Sequence, residues 1–312
     1  MTSPRISVVM PCYNAASHLP ATLDSLRAQT FPDWELITVD DGSTDETARL
    51  LSEAALCDPR IRLVRVPNGG PSRARNIGAL ELARAEIVAF LDADDLCVPT
   101  RLASLLAAFA SKPGAAALYG RVSFFEADPA RPSTVSAVRP GALTTEILLG
   151  ENPVCTTSNL AVRRAALQTV GGFDARLAHH EDVELLLRLV AVGCRIEGLN
   201  ETHIHYRTRP DGLSADLGAM RRGWRETLRS AAPHRPIDRR TARRAEAIHL
   251  RYLARRALRT GAAPMEAARL ALAGLQLSPS AFFDMPRRGL FTLAGALAAP
   301  ALPAALRRRL FA

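Results

Sequence analysis

Three carboxylates fall within four positions at the end of an apolar run, Val88-Ala89-Phe90-Leu91-Asp92-Ala93-Asp94-Asp95. In extended backbone the side chains alternate with period two, so Asp92 and Asp94 point the same way. Two carboxylates aimed at one spot repel each other unless a cation neutralises them. Hard oxygen donors of this kind suit Mg²⁺ or Mn²⁺, ions that keep waters or bind substrate phosphates beside one or two carboxylates. Taken alone, the tetrad reads equally well as a solvated acidic turn. A second acidic site lies in Asp40-Asp41-Gly42-Ser43, which alone could be a strand-to-turn stop. A third is His179-His180-Glu181-Asp182, which opens a helix striped by Val183, Leu186, Leu187 and Val190. An acid there is favoured by the helix macrodipole. The spacing of HHED is not that of a zinc site.

The elements that must position these groups are legible. Ile6–Met10 reads as a strand stopped by Pro11, and residues 17–28 as a helix. Leu36–Val39, Ile61–Val66 and Ile87–Leu91 read as three further strands, with helices over 44–56 and 72–83 between them. Strands alternating with helices imply βαβ units and a mostly parallel sheet. Such sheets bind ligands at the carboxyl ends of their strands. Asp40-Asp41, Asn68-Gly69-Gly70 and Asp92–Asp95 all fall at such ends, which predicts one shared crevice. Further along, 101–110 reads as a helix, 115–125 as a strand and 126–141 as a surface loop. Gly171–Asp174 reads as a tight turn and Arg195–Leu199 as a short strand. His203–Ser214 reads as a polar segment covering the site.

From residue 215 the pattern is helical only. Residues 1–210 carry 21 basic and 24 acidic side chains, whereas 211–312 carry 19 and 7. Ala247, Leu250, Ala254, Ala257 and Leu258 form an apolar stripe, and Arg240, Arg244, Arg251, Arg255 and Arg259 line another face. A second helix over 264–277 completes a hairpin. The basic excess predicts an anionic partner, a membrane surface or a polyanion. Gly289–Leu306 is uncharged and flanked by arginines, and is expected as an interfacial or packed helix ahead of a membrane span. The five cysteines have no paired spacing, and Arg5 leads directly into the first strand, so a reducing cytoplasmic setting without a secretory leader is expected.

The string ISVVMPCYNAASHLPATLDSLRAQTFPDWELITVDDGSTDET, followed by NGGPSRARNIG, IVAFLDADD and GGFD…ED…LLLRL, resembles family 2 glycosyltransferases of the GT-A fold. The resemblance covers roughly residues 5–214. It implies a GT-A domain over 1–214, an α/β Rossmann-like mixed sheet flanked by helices, with 215–312 as a basic helical extension outside it. The implied reaction moves a sugar, with inversion, from a nucleotide-sugar donor (a UDP-sugar first) to a hydroxyl of a glycan or lipid-linked acceptor. By resemblance Asp94 is the Mn²⁺ or Mg²⁺ ligand, and Asp92 contacts ribose or metal water. Pro11 and Tyr13 pack the base, and Asp41 accepts a base N–H, with Asp40 next to it. Arg75 and Asn76 contact the nucleotide. Asp182 is the general base. Glu181, His205 and Arg207 are diphosphate or acceptor contacts, although Arg209 and Pro210 stand where the family often carries a histidine.

The leading expectation is therefore a metal-dependent transferase, cytoplasmic and peripheral on the inner face of a membrane through residues 215–312. The competing one is a catalytically silent GT-A binding module whose basic tail recruits a membrane or polyanionic partner. No RNA-binding motif accompanies the arginines, so no specific nucleic acid is expected.

Overall fold

The computed structural model describes residues 4–177, 180–208, 217–231, 237–259, 262–303 and 306. Two compact units emerge, one from residues 1–143 and 153–208, the other from 144–152 and 209–312. The sequence alone placed one boundary, after 214, and gave no sign that 144–152 belongs with the C-terminal unit.

In the first unit, β1 (Ile6–Cys12), β2 (Trp34–Asp40), β3 (Ile61–Arg65) and β4 (Ile87–Phe90) are short runs rich in Ile, Val and Leu. β1, β2 and β4 are almost wholly buried, as strands covered on both faces must be. Between β1 and β2, α1 (Leu19–Arg27) buries Leu19, Leu23 and Leu26 on one face. α2 (Thr47–Cys57) follows β2. α3 (Pro71–Asn76) follows β3 and continues as a π-helical turn, Ile77–Leu82. After β4 come β5 (Leu96–Cys97), α4 (Arg101–Ser111), β6 (Ala115–Phe125) and β7 (Thr134–Val135). The chain contributes α5 (Thr145–Gly150) to the other unit and returns with β8 (Leu160–Arg163), α6 (Arg164–Val170), α7 (Glu181–Ala191) and β9 (Arg195–Arg207).

The sheet order is β3-β2-β1-β4-β8-β6-β9-β5, with β7 paired to β6. β3, β2, β1 and β4 are mutually parallel. β8 is antiparallel to both β4 and β6, and β9 runs parallel to β6. The result is a mixed sheet in which the ends of β1, β2 and β4 lie side by side.

Two strands run longer than their sequences suggest. β1 continues through Pro11, which pairs with Val39. Its ladder with β4 ends at Val9, so the missing proline N–H breaks no bond on that side. β9 extends over 13 residues, so His203, His205 and Arg207 lie on a strand and not in a covering segment. Their alternation with Ile204 and Tyr206 is a period-two pattern that the polar residues masked. Residues 209–214 of that expected segment lie outside the described residues.

The second unit contains α5, α8 (Leu217–Ala231), α9 (Arg239–Arg259), α10 (Pro264–Leu277), α11 (Pro279–Phe282) and α12 (Pro286–Ala298). Leu250, Leu253, Ala254, Ala257, Leu270 and Phe282 form its core. The arginine face of α9 is only partly solvated. Arg251 is 1% exposed and donates to the Phe282 carbonyl and the Asp284 carboxylate. Arg244 pairs with Glu146, and Arg288 holds Glu151 through both carboxylate oxygens. Three carboxylates thus meet the more buried arginines of the unit, while Arg222, Arg225, Arg240 and Arg243, among others, stay exposed. Among the described residues no helix is long and apolar enough to cross a membrane.

At the opposite end of β2 from the polar motifs, Glu35 is 1% exposed and accepts from Ser7 Oγ (2.7 Å), the Arg84 backbone (2.9 Å) and the Arg84 side chain (2.8 Å). Burial works against its charge, but these bonds outweigh it and hold the carboxyl below the usual glutamate range. Its stabilisation is therefore present above that range and lost as pH falls through the depressed value. Glu35→Gln is expected to cost ~1–3 kcal/mol in denaturant unfolding at neutral pH. The difference from wild type should shrink in acid, and a difference that grows in acid would contradict the assignment.

Candidate active site

The loop after β1 is fastened to the loop after β2. Asn14 adopts a left-handed conformation (φ 48°). Its N–H donates to Ser43 Oγ and its side-chain oxygen accepts from the Thr44 N–H (2.9 Å). Ala15 N–H donates to Thr47 Oγ1 (2.8 Å). This pinning leaves the Tyr13 ring 55% exposed on a fixed backbone, beside Pro11 at the end of β1.

Asp40 and Asp41 are both buried but hold different partners. Asp40 accepts from Arg65 and from the Ser43 N–H, an internal brace of the β2 and β3 ends. Asp41 accepts from the N–H groups of Gly69 and Gly70, each at 2.8 Å, while Asn68 Nδ2 donates to the Asp41 carbonyl. The predicted convergence of Asp41 with Asn68-Gly69-Gly70 is therefore direct bonding. Asp41 shapes that loop, whatever else it contacts.

The acidic tetrad rests on a scaffold that its own sequence does not reveal. Asp92 N–H donates to Ser158 Oγ (3.0 Å), and Ser158 Oγ donates to the Asp95 carboxylate (2.6 Å). Arg207 N–H also donates to Asp95 (3.1 Å), and Arg207 Nε donates to the Asp94 carbonyl (3.2 Å). Arg207 lies over the Phe125 ring at 4.7 Å. From below, the buried Arg101 donates to the carbonyls of Phe90 and Ser158, and Thr22 Oγ1 donates to that of Ala93 (2.9 Å). Asp95 is 1% exposed. Burial, then the charges of Asp94 and Asp92, push its carboxyl well above the ordinary aspartate range. It is the internal anchor of the tetrad.

Arg75 joins this cluster to the start of α7. Its guanidinium donates to Asp92 Oδ1 at 2.6 Å and to Glu181 Oε1 at 3.1 Å, and its own side chain is 5% exposed. Asp182 follows Glu181, and burial raises the carboxyl of each above its ordinary value. The charge of Asp92 also raises Asp182, while Arg75 opposes it. Asn76, expected to contact the nucleotide, is committed elsewhere. It donates to the Phe173 carbonyl (2.8 Å) and accepts from the Phe173 N–H (2.7 Å). This reciprocal pair needs Gly172, whose φ is 75° and where a Cβ would sit 2.4 Å from the Asn76 oxygen. Arg188 donates to the Gly172 carbonyl (2.7 Å) from the other side. His180 precedes α7 in a left-handed conformation, and His179 lies outside the described residues.

His205 pairs with Leu96 on β5, two residues before Arg207 on the same strand. It is half-buried, burial lowers its pKa, and its Nδ1 is buried without a hydrogen-bond partner among the described residues. His203 is a core residue, with Nε2 against Ser104 Oγ and a pKa lowered to about 3 by burial.

Five carboxylates (Asp92, Asp94, Asp95, Glu181 and Asp182) thus share one region with two guanidiniums, Arg75 and Arg207. Protons or a cation must relieve the excess. Among the described residues no group of three or more His, Cys, Asp or Glu is arranged to hold a metal ion. A divalent ion bound through only one or two carboxylates would take its remaining ligands from water or a phosphate-bearing ligand. The oxygen donors Asp94 and Asp92 suit such a cation.

A family model described as Glycosyl transferase family 2 matches residues 7–171. The chain belongs to this family, and it spans less than two thirds of the length of several of the curated relatives it matches. It is 34% identical over 254 residues to the protein y4gI of Sinorhizobium fredii, covering 79% of this chain but only 25% of y4gI. It is 30% identical over 237 residues to TuaG of Bacillus subtilis, a glycosyltransferase named for teichuronic acid biosynthesis, covering 76% of this chain and 89% of TuaG. In three dimensions it resembles S. aureus TarS, solved with UDP (TM-score 0.61, 19% identity, 95% of this chain and 91% of that one). It also resembles a Pyrobaculum calidifontis mannosyltransferase solved with GDP-Man and Mn²⁺ (TM-score 0.53, 24% identity, 98% and 79%). The likeness to TarS shows the GT-A fold.

Ser158 is the site residue that sequence reasoning missed. It sits in Thr156-Thr157-Ser158-Asn159, four small polar residues that are all buried. A polar string reads as a loop, and only its burial marks it as a scaffold. Ser158→Ala removes one acceptor and one donor inside the site. It is expected to cost ~1–3 kcal/mol in unfolding free energy. Unchanged stability and unchanged nucleotide affinity together would show that Ser158 does not hold the tetrad.

Proposed function

We propose that this glycosyltransferase is metal-dependent and inverting, and moves a sugar from a UDP-sugar to a hydroxyl of a glycan or lipid-linked acceptor in cell-envelope polysaccharide synthesis. One observation carries the reading: Arg75 ties Asp92, on the donor side, to Glu181, the neighbour of Asp182. UDP in the TarS structure and the biosynthetic name of TuaG support the donor and the pathway class.

Tyr13 and Pro11 offer the base a platform, Asp41 with its glycine loop borders it, and Arg207 offers a guanidinium to the diphosphate. Asp94, with Asp92, would hold a divalent cation, which when bound neutralises the diphosphate and the charge of the leaving nucleotide. Asp182 takes the proton of the acceptor hydroxyl. The acceptor oxygen bonds to the anomeric carbon as the bond to the phosphate oxygen breaks, and that electron pair leaves with the nucleotide diphosphate. The configuration inverts because attack comes from the face opposite the leaving group. Glu181 keeps Arg75 beside Asp182 and so steadies the charged form of the base.

The raised carboxyl of Asp182 fixes a sign. The base works deprotonated, so the transfer rate should fall with acidification from a pH above the ordinary aspartate range. Asp182→Asn is expected to lower transfer by ~10²–10⁴-fold with nucleotide binding kept. Full activity in that variant would remove Asp182 from the role. For the donor side, Asp94→Ala should abolish the strengthening of UDP binding by Mn²⁺ seen in titration calorimetry. Equal Mn²⁺ dependence in the variant and wild type would contradict the ligand assignment.

A further inference from the structure

The outward face of α12 has the wrong polarity for water. At 100° per residue, its exposed positions fall on one arc: Arg287, Leu290, Phe291, Ala294, Leu297 and Ala298. Leu290 is 59% exposed, Phe291 72% and Leu297 51%. The opposite face, with Gly289, Thr292 and Ala296, is buried within the helical unit. Surface helices normally put charge outward and apolar groups inward. Here both faces are apolar, and the one charged residue of the outer arc is an arginine in its first turn. The neighbouring α10 repeats the pattern more weakly, exposing Met265 and Leu272 with Arg269 between them.

Charge selects the occupant of this face. Residues 285–312 contain no acidic residue and five arginines, of which Arg288 is held by Glu151. The 13 residues of α12 span ~20 Å at 1.5 Å per residue, short of a ~30 Å hydrocarbon core. A helix that is too short to span, apolar on its outer face and flanked by arginines suits the interfacial plane of a bilayer, with apolar side chains at the acyl boundary and guanidiniums among phosphates. We propose that α12 is a docking surface for an anionic lipid bilayer, lying flat through Leu290, Phe291 and Leu297 with Arg287 at the headgroups. This goes beyond the catalytic reading and does not depend on it, because every residue involved lies in the helical unit. It gives the general basic excess one specific apolar surface, with Arg244, Arg251 and Arg288 committed to internal carboxylates.

The test is co-sedimentation of the full chain with phosphatidylcholine vesicles, with and without phosphatidylglycerol. Wild type should bind the phosphatidylglycerol vesicles, and more weakly as salt rises. The double variant Leu290→Glu/Phe291→Glu should lose ~10-fold or more in affinity, and Arg287→Glu a smaller share. These side chains are exposed, so the thermal midpoint should stay unchanged and UDP binding should persist. Loss of UDP binding in wild type would count against the catalytic reading and leave this one standing. Vesicle binding unaffected by the double variant would overturn the proposal. So would failure of wild type to bind. A dimer in light scattering that the double variant dissolves would overturn it as well, assigning the face to a second copy of the chain.

Discussion

A buried guanidinium cannot be left without counter-charge, and Arg75 meets that demand with two carboxylates from distant parts of the chain. Asp92 comes from the loop after β4 and Glu181 from the start of α7. Removing Arg75 would leave two half-buried carboxylates unpaired, and removing either carboxylate would leave the buried guanidinium a single partner. The rest of the sheet-bearing unit is arranged around it. The parallel strands bring the end of β4 next to that of β1. The glycine turn at 171–172 and Arg188 set where α7 begins. Ser158 and Arg101 hold the backbone of the tetrad from below. The arrangement also explains how so many acids coexist. Asp95 is sealed and hydrogen-bonded, Glu181 is paired, and Asp92 and Asp94 keep the outer edge, where a charged ligand would meet them.

The helical unit solves a different electrostatic problem. It is rich in arginine, and without internal carboxylates its helices would repel one another. Glu146, Glu151 and Asp284 sit where those arginines meet. Burial of Arg255, and the neighbouring Arg288, Arg259 and Arg251, lower its pKa to about 10 against the pull of Glu151. The charge balance of the unit therefore includes α5, a segment contributed by residues far upstream. Net charge read from a contiguous stretch of sequence misses the carboxylates of 144–152 that face these arginines.

What the sequence disclosed follows a physical pattern. β1 to β4 were legible because parallel strands buried on both faces are continuous apolar runs, and their polar ends stand out sharply. α10 was legible because Pro264 opens it and Ser278-Pro279 closes it. β9 was half lost because His203, His205 and Arg207 look like loop residues until their alternation with Ile204 and Tyr206 is weighed. Asp41, Asp92, Asp94 and Asp182 stood out by type and position. The second partners of Asp41 and Asp92, and the whole role of Ser158, did not. Long-range hydrogen bonds leave no periodic trace, and a serine bonded across 66 positions looks like any other serine. The bonds of Asn76 to Phe173, 97 positions away, were invisible for the same reason.

Asn76 has a further consequence. Its amide gives a hydrogen bond to one backbone atom of Phe173 and takes one from another, and Gly172 leaves no slack against it. A carboxylate could only accept, an ammonium could only donate, and a longer amide would collide. One side chain satisfies both bonds and the space left for it. The helix carrying Arg75 and the turn leading to Asp182 are thereby locked in step, and any shift of one would carry the other with it.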